Sequence, residues 1–213
     1  MLIASESFAT SLTFDGTAFD NTGGTQLIPQ TYGDRVTATT MGSFDYGAAG
    51  GFTPNVEVAY VSSESNELEY AESFFGTLTG VAFNPASPAD FFAVNLQADP
   101  GFTVLLSGFD IGKFGGPDTL SSLEVIGAAG EVLFSADAPT RTFATGSSQK
   151  QTFLSLDFAS PLESSELTIR VGTSNASNQW GIDNITFSQA VPEPSSLFLL
   201  SIAGLRLVHR RNR

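Results

Sequence analysis

The chain has 213 residues, no cysteine, and 22 acidic against nine basic side chains, which gives a formal net charge of −13 at pH 7. The lack of cysteine excludes a disulfide framework, a thiolate metal site and a cysteine nucleophile. A surface this acidic repels nucleic acid and anionic lipid, and it favours solubility and divalent cations.

Most of the chain reads as β-strands. In three segments, Val56 to Tyr60, Leu154 to Phe158 and Leu167 to Val171, apolar and polar residues alternate, which is typical of a sheet with one covered face. Shorter apolar runs predict further strands at 12–14, 35–39, 74–83, 91–96, 102–109, 123–126, 132–134, 141–145 and 182–187. The acidic stretch 64–72 is predicted to be a solvated loop or edge.

Turn signals such as Asp99-Pro100-Gly101 and Gly127 to Gly130 separate these strands at intervals of roughly 8 to 15 residues. This spacing predicts an all-β fold, a β-sandwich or jelly roll of about ten strands. Because no linker interrupts the pattern, we expect residues 1–190 to form one β-sandwich domain.

The residues that most catalytic sites need are scarce. The one histidine, His209, lies close to the C-terminus, so residues 1–190 contain no Ser-His-Asp or Cys-His arrangement and no histidine metal site. Ser147 and Lys150 match a Ser-x-x-Lys pattern without its accompanying motifs. We therefore expect a protein that is not an enzyme, and a carbohydrate-active enzyme that uses a carboxylate pair is the alternative.

Residues 191–213 differ from the rest of the chain and have three parts. These are the motif Val191-Pro192-Glu193-Pro194-Ser195-Ser196, an apolar run that begins Leu197-Phe198-Leu199-Leu200, and a basic end with Arg206, Arg210, Arg211 and Arg213. The two prolines favour a stiff, extended and accessible strip. The apolar run predicts a short C-terminal helix, and the arginines favour a cytoplasmic position for its end.

This order of motif, apolar run and arginines resembles the PEP-CTERM sorting signal of bacterial surface proteins. The resemblance implies that an exosortase, a membrane protease-transpeptidase, recognises residues 191–213 and cuts near Pro192-Glu193-Pro194. It also implies export, transient anchoring in the inner membrane, and final residence in the envelope, at the cell surface or in the exopolysaccharide matrix.

Both ends of the chain bear on that route. The apolar run to Val208 spans about 18 Å of helix against a hydrocarbon core of about 30 Å, which suits a transient anchor better than a permanent one. Residues 1–5, Met-Leu-Ile-Ala-Ser, lack the basic and long apolar regions of a signal peptide. We expect residues 2–4 to be the remnant of a signal peptide that is missing from this chain; otherwise the protein stays in the cytoplasm.

The body has a second resemblance. Phe102 to Gly116, Leu167 to Arg170 and Gly181 to Phe187 look like segments of the galactose-binding-like jelly rolls found in PEP-CTERM proteins and carbohydrate-binding modules. The resemblance implies a jelly roll that contacts extracellular polysaccharide.

Asp183 has the same alternation as Ile185 and Phe187, which predicts an inward-facing carboxylate that needs a partner or a cation. The jelly-roll resemblance implies a structural calcium ion there, with Glu6 as the matching ligand and Asp15 or Asp20 as alternatives. Calcium binds through oxygen ligands of this kind. The other interpretation is that Asp183 starts a strand in a turn and accepts backbone N–H hydrogen bonds.

Trp180, the one tryptophan, follows a polar loop that includes Asn178. An aromatic ring beside amide side chains suits stacking on a sugar, so both residues are candidates for ligand binding. The alternative is that Trp180 closes the end of the sandwich.

The sequence thus predicts a non-catalytic, exported surface or matrix protein with a β-sandwich that binds carbohydrate and calcium. A structural adhesin or matrix protein without a glycan ligand remains an alternative, as does the carboxylate-pair enzyme.

Overall fold

The computed structural model describes residues 8–15, 26–40, 43–46, 52–63, 67–72, 75, 78–84, 91–114, 120–136, 154–173 and 179–191. Within these ranges the chain is all-β, as predicted, and no helix there is long and apolar enough to cross a membrane. The strands are β1 (Thr10–Leu12), β2 (Gln26–Leu27), β3 (Val36–Thr40), β4 (Ser43–Tyr46), β5 (Val56–Ser62), β6 (Glu69–Ala71), β7 (Val81–Phe83), β8 (Phe91–Ala98), β9 (Thr103–Phe114), β10 (Leu120–Gly127), β11 (Val132–Ala136), β12 (Leu154–Ser164), β13 (Glu166–Thr173) and β14 (Gln179–Ala190).

The strands form three antiparallel sheets. A seven-stranded sheet has the order β12-β9-β14-β7-β6-β2, and β1 also pairs with β14. A five-stranded sheet has the order β11-β10-β13-β8-β5, and β3 pairs with β4 alone. One edge of β14 pairs with β9, while β7 and β1 share the other edge, β7 at Gly181 and Ile182 and β1 at 185–187.

The two large sheets enclose one apolar core, which makes the architecture sandwich-like. Alternate residues of both sheets are buried in it, because each strand turns every second side chain inward. Examples from the five-stranded sheet are Val58, Tyr60, Val94, Leu96, Val125 and Ile169, and examples from the seven-stranded sheet are Leu106, Ile111, Ile182 and Phe187.

A smaller apolar core consists of Ala71, Phe75, Leu78, Val81 and Phe83. It packs against Gly112 and Gly181 on β9 and β14, next to Ile111 and Ile182 of the main core. A Cβ atom on Gly112 would lie 2.8 Å from Leu78 Cδ1, and one on Gly181 would lie 3.0 Å from Val81 Cβ. The absence of side chains at these glycines therefore allows the smaller core to dock.

The strand predictions differ from the structure mainly between residues 64 and 83. Of the solvated loop or edge predicted for 64–72, the loop is wrong in the second half, because Leu68 and Tyr70 are buried and β6 lies there, next to the edge strand β2. Their acidic neighbours concealed an alternating pattern. Among the described residues of the strand predicted at 74–83, β7 is extended, while Phe75 and Leu78 are buried outside any strand. The apolar residues before β7 therefore mark buried positions, but they do not mark extended backbone.

Candidate functional site

Asp183 lies at an irregularity in β14. It pairs with Asp110 of β9, and the register then shifts, so that Thr186 pairs with Gly108. The next residue, Asn184, has a φ of 51°, in the left-handed region where Asn is among the better tolerated residues. Ile182 and Ile185 are both in the core although they are three residues apart, so the simple alternation that predicted an inward Asp183 does not apply across this bulge.

The Asp183 side chain is nevertheless covered, at 2% exposure. Its Oδ1 accepts a hydrogen bond of 2.7 Å from the backbone N–H of Asn184. The pKa of Asp183 is raised to about 8, mainly by burial; the Asn184 hydrogen bond acts in the opposite direction, and the charges of Asp15 and Asp110 add to the increase. Asp183 is therefore mostly a neutral acid at pH 7.

The expected calcium ligands are only partly within the described residues. Glu6 and Asp20 lie outside them. Asp15 lies within electrostatic range of Asp183, and its Oδ1 accepts a hydrogen bond of 3.0 Å from Thr79 Oγ1. In the part of the chain that the structure describes, no group of three or more His, Cys, Asp or Glu side chains is arranged to hold a metal ion.

Trp180 is 1% exposed and belongs to the main core. The Lys113 Nζ atom lies 5.8 Å from the centre of its ring, within the range of a cation–π contact. A sugar stacks on an exposed ring face, so the structure places Trp180 in the core and not in a ligand site. Asn178 lies outside the described residues.

The predicted sorting segment is described only at its first residue. Val191 directly follows β14 and is 65% exposed. The rest of that segment lies outside the described residues: the remaining motif residues Pro192 to Ser196, the helix residues Leu197 to Leu200, and Arg206, Arg210, Arg211 and Arg213.

A polar cleft of about 200 Å³ crosses three neighbouring strands, β12, β9 and β14. Its position follows from irregular pairing on both sides of β9: the register against β14 shifts after Asp183 and again after Thr186, and the register against β12 shifts after Asp157. Gly108 pairs with Thr186 and Asp157 at these shifts, and a Cβ atom on it would collide with the Leu156 carbonyl oxygen. The lining residues are Ser107, Gly108, Phe109, Asp110, Ser155, Asp157, Asn184 and Thr186.

The polar groups of the cleft are only partly engaged with each other. Asn184 Nδ2 donates a 2.7 Å hydrogen bond to Asp110 Oδ2, which turns the amide oxygen of Asn184 away from Asp110. The hydroxyl oxygens of Thr186 and Ser11 are 2.9 Å apart. Within the described ranges, the exposed carboxylate of Asp157 has no hydrogen-bond or ion-pair partner.

Sequence reasoning did not identify this cleft. The alternation from Leu154 to Phe158 predicts no more for Asp157 than an outward position on a strand, where polar residues are ordinary. Asn184 gave no signal either, because the bulge that brings it beside Asp110 depends on the pairing of two strands that are distant in sequence.

Comparisons with known proteins place few limits on this chain. No protein-family model and no curated protein matches it. One similar solved structure is the enzymatically active domain of tailspike protein 4 of bacteriophage CBA120, at 13% identity, with a TM-score of 0.29, over 64% of this chain and 19% of that chain. Another is an apo-form cyclase from Fischerella sp., at 16% identity, with a TM-score of 0.30, over 87% of this chain and 98% of that chain. At such low TM-scores neither likeness defines the fold or the function.

Proposed function

We propose that the protein is a non-catalytic, exported protein of the cell surface or extracellular matrix, and that residues 191–213 are its PEP-CTERM sorting signal. The observation that carries this proposal is the order of Pro192-Glu193-Pro194, the apolar run and the arginines. The exposure of Val191 at the end of β14 supports it, because a protease needs an accessible strip next to a folded domain. The partners are an exosortase, the inner membrane transiently, and extracellular polysaccharide.

The body would act as a stable acidic scaffold at that location. Residues 1–190 contain five Lys and Arg residues against 21 acidic ones, which is a net charge of −16. We propose that the sandwich is a jelly roll of the galactose-binding-like kind, which contacts polysaccharide, and that the sorting segment includes a short apolar helix. The support is the sandwich-like pair of sheets together with the three segments that resemble such domains.

The test is the intact mass of the protein in each fraction of the producing cells. We expect envelope or extracellular material to have lost the C-terminus at or near Pro192-Glu193-Pro194. The double variant Pro192→Ala, Pro194→Ala should keep its full mass, while Pro100→Ala, in the turn between β8 and β9, should be processed normally. Full-length protein confined to the cytosol, with or without these changes, would overturn the proposal.

We also propose a structural calcium ion held by Asp183 and Asp15. Asp183 is buried and Asp15 is half-buried, and their charges repel each other. A bound cation would relieve this repulsion, and carboxylate and backbone oxygens are suitable calcium ligands. The melting temperature should then be higher in calcium than in EDTA, because a ligand that binds only the folded state stabilises it. Asp15→Asn should remove this increase, and Asp45→Asn, at an exposed position on β4, should not. An identical midpoint with calcium and with EDTA contradicts the proposal.

One observation favours the enzyme alternative. Asp183 is a largely neutral acid beside Asp110, and glycoside hydrolases use two carboxyl groups of different acidity. Its 2% exposure argues against direct contact with a substrate. Hydrolysis of polysaccharide by the purified protein, measured as new reducing ends and lost in both Asp183→Asn and Asp110→Asn, would establish the enzyme instead of the scaffold.

A further inference from the structure

The polar cleft on β12, β9 and β14 is built from short side chains. Apart from Phe109, whose side chain is buried in the core, Ser, Asp, Asn and Thr surround Gly108. Short side chains have few rotamers, so fixing them against a ligand costs little conformational entropy. All the lining residues lie on strands, and the register shifts of β9 against β14 and β12 bring them together.

The chemistry of the lining limits what the cleft can bind. Its side chains provide carboxylate, amide and hydroxyl oxygens, and no Lys, Arg or His is among them. Asp157 is exposed and, among the described residues, has no partner, while the Asn184 amide oxygen is turned away from Asp110. These acceptors suit a ligand with several hydroxyl donors. An anionic ligand would meet two carboxylates in the cleft and a chain of net charge −13.

We propose that this cleft binds one neutral sugar unit of a polysaccharide. Asp157 accepts hydrogen bonds from adjacent sugar hydroxyls, Asn184 Oδ1 accepts a third, and Ser155 can donate to a ring or hydroxyl oxygen. A volume of about 200 Å³ is below the range of drug-sized pockets and suits a single monosaccharide. The binding of a sugar is inferred from the cleft itself. Only the choice of a polysaccharide as the source of that sugar rests on the proposed surface function.

The experiment is affinity electrophoresis of the purified full-length chain in gels that contain dextran, galactan or mannan, with alginate as the acidic control. We expect retardation by at least one neutral polysaccharide and none by alginate. Asp157→Ala should weaken that binding about tenfold or more, the loss expected for hydrogen bonds to a charged acceptor. Glu163→Ala is the matched control, because Glu163 is an exposed acid on the same strand outside the cleft.

Two outcomes would overturn the proposal. One is that no neutral polysaccharide retards the protein, or that Asp157→Ala binds as the unmodified chain does. The other is that calorimetry with calcium chloride shows binding that Asp157→Ala abolishes while no glycan binds, which would make the cleft a cation site. Neither outcome concerns the C-terminal processing, so the mass measurement can still succeed or fail independently.

Discussion

Asp183 differs from the chain's exposed acids because folding removes it from water while giving it one backbone hydrogen bond and two nearby carboxylates. An ionised carboxyl group is costly in such a place. The side chain therefore takes up a proton on folding. Its charge state, unlike that of a surface acid, is tied to the folded structure.

This proton uptake makes the free energy of unfolding depend on pH. The pKa of Asp183 is about 8 in the folded chain, and an unfolded Asp has a pKa of about 3.9. Between these values the folded state holds a proton that the unfolded state lacks, so stability falls as pH rises from about 4 to 8. Asp183→Asn keeps an acceptor for Asn184 N–H without the charge. In EDTA we expect urea unfolding at pH 9 to show the variant to be about 5 kcal/mol more stable than the unmodified chain, since a tenfold change in acidity corresponds to about 1.4 kcal/mol.

The difference should be small at pH 4, where about half of the unfolded aspartate is also protonated. Asp45→Asn, at an exposed site, serves as the control. Parallel stability curves for the unmodified chain and Asp183→Asn from pH 4 to pH 9 would show that Asp183 is not a buried neutral acid.

Arg35 links three parts of the chain. Its two terminal nitrogens bond both oxygens of Asp99, at 2.6 and 2.8 Å, and Nη2 also contacts Glu57 at 2.7 Å. The Arg35 hydrogen bonds lower the pKa of Asp99, so this contribution is present above an unfolded pKa of about 3.9 and is lost as pH falls through the lower folded value. Because Arg35 is 40% exposed, water and salt weaken the pair.

Replacing Arg35 by lysine keeps the charge but loses the two-pronged geometry. We expect Arg35→Lys to lower the free energy of unfolding by about 0.5–1 kcal/mol at pH 7 and low salt, as measured by urea denaturation. Glu124→Gln is the control, since it removes a single ion-pair contact, of 3.5 Å to Arg170, and leaves the Arg170 stacking on Phe91 in place; it should cost less. An equal loss in both variants would mean that the paired contacts to Asp99 contribute nothing.

Among the elements, the contact between the smaller apolar core and β9 depends on Gly112. A methyl group there would lie 2.8 Å from Leu78 Cδ1 and 2.9 Å from the Phe75 carbonyl oxygen, so the segment would have to move. We expect Gly112→Ala to cost about 1–3 kcal/mol in chemical unfolding, which is typical of overpacking. Gly101→Ala has open space around it but a φ of 91°, so it isolates the cost of backbone strain, about 1 kcal/mol. A smaller loss for Gly112→Ala than for Gly101→Ala would contradict this account.

Sequence patterns predicted the elements that alternate cleanly and missed those that do not. The segments at Val56, Leu154 and Leu167 became β5, β12 and β13, because one face of each packs on the core. β2 has only two residues, both exposed, so no buried face could mark it. Fold class was therefore accessible from periodicity.

The candidate site was less accessible, for a physical reason. Alternation counted from Ile185 places Asp183 inward, and alternation counted from Ile182 places it outward. A bulge reconciles the two, and its position depends on β9, which lies about 70 residues earlier in the chain. The cleft needs a second irregularity in β12 as well. Such bulges arise from the pairing of strands that are distant in the chain, so no local pattern in the sequence indicates them.

For the whole molecule, the net charge of −13 means that folding brings like charges together. Salt at about 0.1 M screens charges beyond roughly 10 Å, which relieves this repulsion more than it weakens the few close ion pairs. We expect the melting temperature to rise between 10 mM and 300 mM sodium chloride, at constant pH and in EDTA. Choline chloride should give the same increase if screening is responsible. A constant or falling midpoint would indicate that local ion pairs outweigh the overall repulsion.

The position of β14 has a consequence for how the protein folds. This strand is the last of the described strands in chain order, yet it lies inside the seven-stranded sheet, between β9 on one side and β7 and β1 on the other. Until about residue 190 is available, β1 has no partner and β9 has an open edge, so the sheet cannot be completed during synthesis. Closure then requires contacts between the two ends of the chain, which are slow to form. A chain that emerges from a ribosome or a translocation channel with its N-terminus first would carry an incomplete seven-stranded sheet, with open strand edges that favour aggregation, until β14 appeared.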